Sequence, residues 1–223
     1  MAVRGTKQHW EEFWSDKENQ PYWTRPDELV LSFLESQSPQ KYPSVLDAGC
    51  GLGRHAVAFA KAGFSVLATD SSVQAIDYVN QWAEEENLDI RTKVSNLLDP
   101  EIPLASFDIV LSFNVIYHGF RRDFVQAFQW VRALVRPGGL CYCTCPSRQD
   151  GKYGFGDSPA LHTFFAEKSL TPHDLHYFTD EADLDSILGD FERVSLVLDE
   201  GYFDNAGQQQ FFSNWHVLVK KPA

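Results

Sequence analysis

Three glycines at alternate positions, Gly49, Gly51 and Gly53, set between a short apolar run and an amphipathic one, constrain this chain more than any other feature. The stretch from Val45 to His55 reads as a buried strand, a sharp turn and the start of a helix. Each glycine removes a Cβ where backbone must turn or lie against a ligand, and the helix start presents free N–H groups to polar ligand atoms. The dinucleotide fingerprint G-x-G-x-x-G would need glycine where Arg54 stands. This chain has G-x-G-x-G instead, with Asp47 two residues before the first glycine. The bland alternative is a tight strand-to-helix turn with no ligand at all.

The chain then alternates in the manner of a doubly wound sheet. The helix opened at Arg54 runs to about Ala62 and stops at Gly63, and residues 64–69 form a strand ending at Asp70. Ser71 and Gln74 have capping-box spacing and open a helix through about Glu86. In an open parallel sheet the ligand lies across the carboxyl ends of the strands, so Asp70 is placed to accept both hydroxyls of a ribose; capping the helix is its competing role. Residues 90–94 form a third strand followed by Ser95, Asn96, Leu97, Leu98 and Asp99. A fourth begins at Phe107-Asp108-Ile109-Val110 and leads to Asn114, Tyr117 and His118. A helix over about 121–135 ends at Arg136-Pro137-Gly138-Gly139, before a strand carrying Cys141, Cys143 and Cys145 on one face. Zinc ligands usually come from turns with wider spacing, so these thiols read as structural and no metal is expected.

These motifs, in this order over about residues 43–145, resemble the class I S-adenosylmethionine (SAM)-dependent methyltransferases. The resemblance rests on an acid followed by G-x-G-x-G, an acid after the second strand, a polar residue after the third, and F-D-x-V at the fourth. It implies an α/β fold: a doubly wound, mostly parallel seven-stranded sheet of Rossmann-like methyltransferase type, with an antiparallel member in the last strand pair. It implies SAM as cofactor, with Asp47, Gly49, Cys50, Gly51 and Gly53 around the methionine portion and Asp70 with Ser71 at the ribose. Asn96 and Leu97 would lie at the adenine, with Asp99 as competitor to Asn96, and Asn114 beside the methionine half. His118 and Tyr117 would lie near the reacting centre, His118 as a general base or as a wall of the pocket.

Outside that region the chain supplies covers. Trp10, Phe13 and Trp14 fall at helical spacing, and the arm over residues 1–40 either packs as an apolar cover or sets Trp14, Tyr22 or Trp23 against the ligand, an aromatic face being suited to a sulfonium. Asp27–Ser36 forms a helix within it. Residues 147–178 hold glycines, prolines, aromatics and His162, His173 and His176, and read as a substrate lid with His176 in the acceptor pocket. Thr179 caps a further helix, and two strands, from Phe191 to about Leu198 and from Phe211 to about Lys220, complete residues 179–223.

A net charge of −12 and no basic cluster longer than a pair make nucleic acid a poor partner. No apolar run approaches the roughly 20 residues of a membrane span, so one cytoplasmic domain, a monomer or homodimer, is expected. The expected reaction is methyl transfer from SAM to a small-molecule acceptor. A non-catalytic SAM-binding regulator and a nucleotide-dependent oxidoreductase remain as alternatives.

Overall fold

A computed structural model describes residues 7–16, 20–99, 101–165, 174–205 and 208–223. Its centre is a seven-stranded sheet whose buried strands read as near-continuous apolar runs, as strands covered on both faces must. The strands are β1 (Ser44–Ala48), β2 (Ser65–Asp70), β3 (Ile90–Val94), β4 (Phe107–Ser112), β5 (Val135–Pro146), β8 (Glu192–Asn205) and β9 (Gln208–Lys220), in the order β3-β2-β1-β4-β5-β9-β8. Strands β3 to β5 pair in parallel, with Val45 beside Val66 on one side and Ile109 on the other. Strand β9 enters antiparallel between β5 and β8. A two-stranded antiparallel sheet of β6 (Thr163–Phe165) and β7 (Leu175–Tyr177) lies apart from it.

Helices cover both faces. On one, α3 (Glu28–Glu35), α4 (Arg54–Lys61) and α5 (Val73–Glu85) bring Val30, Phe33, Phe59 and Val79 onto Val45, Val66 and Ile109. On the other, α6 (Arg121–Leu134) and α7 (Glu181–Leu188) bring Phe124, Phe128, Val131 and Leu184 onto Leu46, Val110 and the cysteine strand. Cys141, Cys143 and Cys145 are fully buried in that second cluster as free thiols. Two short helices, α1 (Lys7–Ser15) and α2 (Gln20–Trp23), form the N-terminal arm.

Several local expectations are corrected. The N-cap of α5 is Ser72 rather than Ser71: its Oγ accepts from the Ala75 N–H at 3.2 Å, and an acid from α1 takes the place of Gln74. Glu11 accepts the Val73 and Gln74 N–H groups at 2.9 and 3.1 Å and the Ser72 hydroxyl at 2.6 Å. The cap of α7 is Asp180, which accepts from Asp183 N–H, because Thr179 is drawn into a bridge with Ser147. The segment from Asp199, read as a loop, continues β8, with Asp199 beside Asn214 and Asn205 beside Gln208. Residues 147–162 are turns and bends, as expected, yet they are anchored: Asp150 accepts from Ser213 N–H at 3.0 Å, and Tyr153 packs edge-on to Phe164 and Phe178. His173 lies outside the described residues.

Candidate active site

The sheet order reverses between β1 and β4, and a crevice opens there at the carboxyl ends of the strands. It holds a cavity of about 470 Å³. Its floor is the turn after β1, where Gly49 and Cys50 both donate to the Thr69 carbonyl, at 2.8 and 2.9 Å, tying that turn to β2. Gly51 has φ +52°, and a Cβ on it would meet the Trp14 ring at 2.8 Å, so glycine is needed both for the turn and for the indole lying on it. Gly53 does not line the cavity. It caps α4 with φ +83° and approaches Val79, where a Cβ would fall 2.7 Å from Cγ2, so its need is packing.

Two buried acids flank the turn. Asp70 ends β2 with Oδ2 accepting from Gly51 N–H and Oδ1 from Ser72 N–H, both at 2.9 Å. These bonds fix the carboxylate at the cavity wall and leave it further lone pairs. Burial raises its pKa, against the pull of the Ser72 and Gly51 amides. Asp47, the last residue but one of β1, accepts from Ala56 N–H at 3.0 Å. Burial raises its pKa to about 7, with the Ala56 bond and Arg54 opposing. Cys50, Ser71, Asn96 and Leu97 also line the cavity. Asp99, the competitor to Asn96, does not line it: it is held in the turn by Lys93 at 2.8 Å and by the Ser95 hydroxyl at 2.9 Å.

Beyond β4 the chain turns through Asn114 in the left-handed region, at φ +59°. Thr144 on β5 supports this conformation, accepting from Asn114 N–H at 2.8 Å and donating to its Oδ1 at 3.0 Å. The Asn114 carbonyl lies 3.1 Å from His118 Nε2, and because a carbonyl only accepts, this ring nitrogen carries the proton. Tyr117 stacks on His118 at 4.5 Å, and His176 meets both edge-on at 5.1 and 4.8 Å. Burial lowers the His118 pKa to about 4, lowers that of His176 well below the usual imidazole range, and raises that of Tyr117.

The arm supplies the roof. Trp10, Phe13, Trp14, Tyr22 and Trp23 form a chain of ring contacts over the floor, and Arg54 lies between Trp23 and Phe113 at 5.2 and 5.0 Å from the ring centres. The structure therefore brings Trp14, Tyr22, Trp23, Tyr117, His118 and His176 to one cavity with the glycine turn. Sequence reasoning missed Glu11, Arg54, Lys152, Asp174 and His216. Lys152 and His216 line the cavity, with Lys152 beside Asp150 at 3.5 Å and His216 Nδ1 bonded to the Tyr142 hydroxyl at 2.7 Å. Nothing in the local spacing of Lys152 and His216 marks them, because each reaches the site from an element far away in sequence, whereas Arg54 directly follows the glycine turn.

Residues 45–139 match the family model described as "Methyltransferase domain". A ubiquinone biosynthesis O-methyltransferase of Methylocella silvestris is 32% identical over 50% of this chain and 43% of its own length. This chain spans between 43% and 64% of the first three curated relatives it matches. Among solved structures, TehB from Haemophilus influenzae aligns with TM-score 0.68 and 21% identity over 95% of this chain and 67% of its own. The 1,6-didemethyltoxoflavin-N1-methyltransferase of Burkholderia thailandensis, solved with its substrate and S-adenosylhomocysteine, gives 0.65 and 18% over 97% and 88%. At such identities these two likenesses concern the fold.

Proposed function

From the premise that residues 45–139 belong to the methyltransferase-domain family, of class I SAM-dependent type, we propose that this chain binds SAM and transfers its methyl group to a small-molecule acceptor. The observation that carries the reading is one cavity wall built from the turn over residues 49–52 and two buried acids at the ends of adjacent strands, Asp47 and Asp70. Asp70 would accept from the ribose hydroxyls and Asn96, beside Leu97, would meet the adenine. Asp47 would face the methionine ammonium, a cation that restores ionisation to a carboxyl otherwise titrating near 7. Gly49, Cys50 and Gly51 would lie along the methionine portion, and Asn114 at its reacting end.

The acceptor would enter between the aromatic roof and the His118–His176 wall. Its nucleophilic atom forms a bond to the methyl carbon as the carbon–sulfur bond breaks, and the electron pair stays on sulfur as S-adenosylhomocysteine. The electrophile is already charged, so the enzyme's work is alignment and exclusion of water, for which the roof of Trp14, Tyr22 and Trp23 is suited. Burial keeps Tyr117 protonated, leaving the Nδ1 lone pair of His118 as the better proton acceptor. A concave cavity of about 470 Å³ favours a small acceptor over a macromolecule, as does the acidic charge of the chain over nucleic acid. No helix among the described residues is long and apolar enough to cross a membrane.

Calorimetric titration with S-adenosylhomocysteine tests the reading: one-to-one micromolar binding supports it, and no binding overturns it. Binding without turnover across a panel of hydroxylated, amine and thiol acceptors would leave a SAM-binding regulator in its place.

A further inference from the structure

We propose that His9, His118, Asp174 and His176 form a binding site for a divalent transition-metal ion at the acceptor end of the cavity. The four residues come from the arm, the turn after β4 and the start of β7, so no sequence spacing announces them. His118, Asp174 and His176 each offer a donor atom within 4.8 Å of the others, the one such group among the described residues. His9 Nε2 adds a fourth donor at 3.3 Å from Asp174 Oδ2, and His118 Nδ1 lies 3.8 Å from the same oxygen. Ligands around tetrahedral zinc, with bonds near 2.0–2.1 Å, are about 3.3 Å apart. The cluster is thus slightly open, and drawing in the imidazole rings would close it.

Hydrogen bonding gives the second argument. Nε2 of His118 donates to the Asn114 carbonyl, so Nδ1 of the neutral ring presents a lone pair on the side of the Asp174 carboxylate, and a cation between them would be bound by both. His118 Nδ1, His9 Nε2 and both ring nitrogens of His176 are buried without a hydrogen-bond partner among the described residues. Buried polar atoms without partners are uncommon, and one nitrogen from each of these three rings can face a shared ligand, the second His176 nitrogen pointing away from it. Three imidazoles and one carboxylate match zinc, cobalt or iron(II) rather than magnesium or calcium, which require mostly oxygen ligands.

An acceptor hydroxyl or phenol could bind an ion held here only as a fifth ligand, and there its pKa would be lowered. Ionising the acceptor would then be the metal's part, and His118 would hold the ion instead of a proton. This consequence rests on the methyltransferase reading; metal binding itself does not.

The test is cobalt titration of chelator-treated full-length protein, read by the visible absorption of low-coordinate Co²⁺, with Zn²⁺ added as competitor. One equivalent of Co²⁺ should develop the bands and Zn²⁺ should abolish them. His176→Gln and Asp174→Asn should each weaken the metal at least about tenfold, the lower end of the cost of losing even a supporting group. His9→Gln, on the partly exposed arm, is the mild variant and should weaken it too. Calorimetry with S-adenosylhomocysteine on the same preparations checks that each variant is folded. Absent bands in the parent protein, or bands unchanged in all three variants, would overturn the site. Cobalt binding without S-adenosylhomocysteine binding would overturn the methyltransferase reading and leave the metal site standing.

Discussion

A carboxylate that must hold a diol has to be fixed before the ligand arrives, and Asp70 is fixed by the amides of Gly51 and Ser72. Asp70→Ala removes two charge-assisted acceptors at once and should weaken S-adenosylhomocysteine by on the order of 3 kcal/mol, about a hundredfold. Asp70→Asn, which keeps one acceptor, should fall between; calorimetry with affinity unchanged in both variants would remove Asp70 from the ribose site. Asp47 carries a different signature, because burial raises its pKa to about 7 from an ordinary 3.8. The ligand-free native state therefore holds an extra proton between those values, and this group's contribution to stability falls as pH rises from about 4 to about 7. Against an ammonium the ionised form is favoured, so S-adenosylhomocysteine should bind more tightly as pH rises toward 7 and then level off. The gain approaches about tenfold per pH unit below the pKa. Asp47→Asn should flatten that profile; a parent profile already flat between pH 5.5 and 7.5 would exclude Asp47 as the ammonium's partner.

At the level of elements, α1 and α5 meet through a borrowed cap. Glu11 accepts two backbone N–H groups of the first turn of α5 and the Ser72 hydroxyl, placing a carboxylate at the positive end of that helix. Glu11→Ala should cost about 1–2 kcal/mol in urea denaturation, at the upper end for a lost cap because the arm also loses its tether. A stability within experimental error of the parent's would mean that the arm is held by its aromatic contacts alone. Such long-range contacts mark the limit of what local pattern could say. Strand β3 was legible to the residue, since Ile90–Val94 is bounded by polar turns, and the helix expected over Asp27–Ser36 is found with those two residues as its caps. Capping-box spacing points to Ser71 at the start of α5, whereas Ser72 caps it with an acid supplied from α1, some 60 residues away. The polar run from Asp199 looked like loop because its pairing with residues up to Asn214 is an edge-strand property that tolerates glycine and charge. The glycine turn, Asp70 and Asn96 were readable because strand ends in a parallel sheet converge. His9 and Asp174 were not, because they meet His118 only after the arm and β7 have docked.

For the whole molecule, the consequence of that docking is a cavity whose floor and roof differ in how they are made. The floor belongs to the sheet: the glycine turn is bound to Thr69, and its strands are buried on both faces. The roof belongs to an arm fastened by Glu11, by Trp10 edge-on to His118, by Arg54 over the Trp23 ring and by Trp14 lying on Gly51. A cofactor as long as S-adenosylmethionine must pass between them, and Trp14 stands against the floor where its methionine portion would lie. The expectation is that the arm lifts for entry and resettles on the bound ligand, while the sheet stays in place. Hydrogen exchange should register that asymmetry. Addition of S-adenosylhomocysteine should slow exchange in α1 and α2 by a large factor and in the Gly49–Gly53 turn, leaving β4 and β5 as protected as before. Uniform slowing across all strands would indicate global stabilisation by mass action instead. Slowing confined to the turn would mean that the ligand enters without displacing the roof, and Trp14 and Trp23 would then be packing residues of the arm, with no part in enclosing the cofactor.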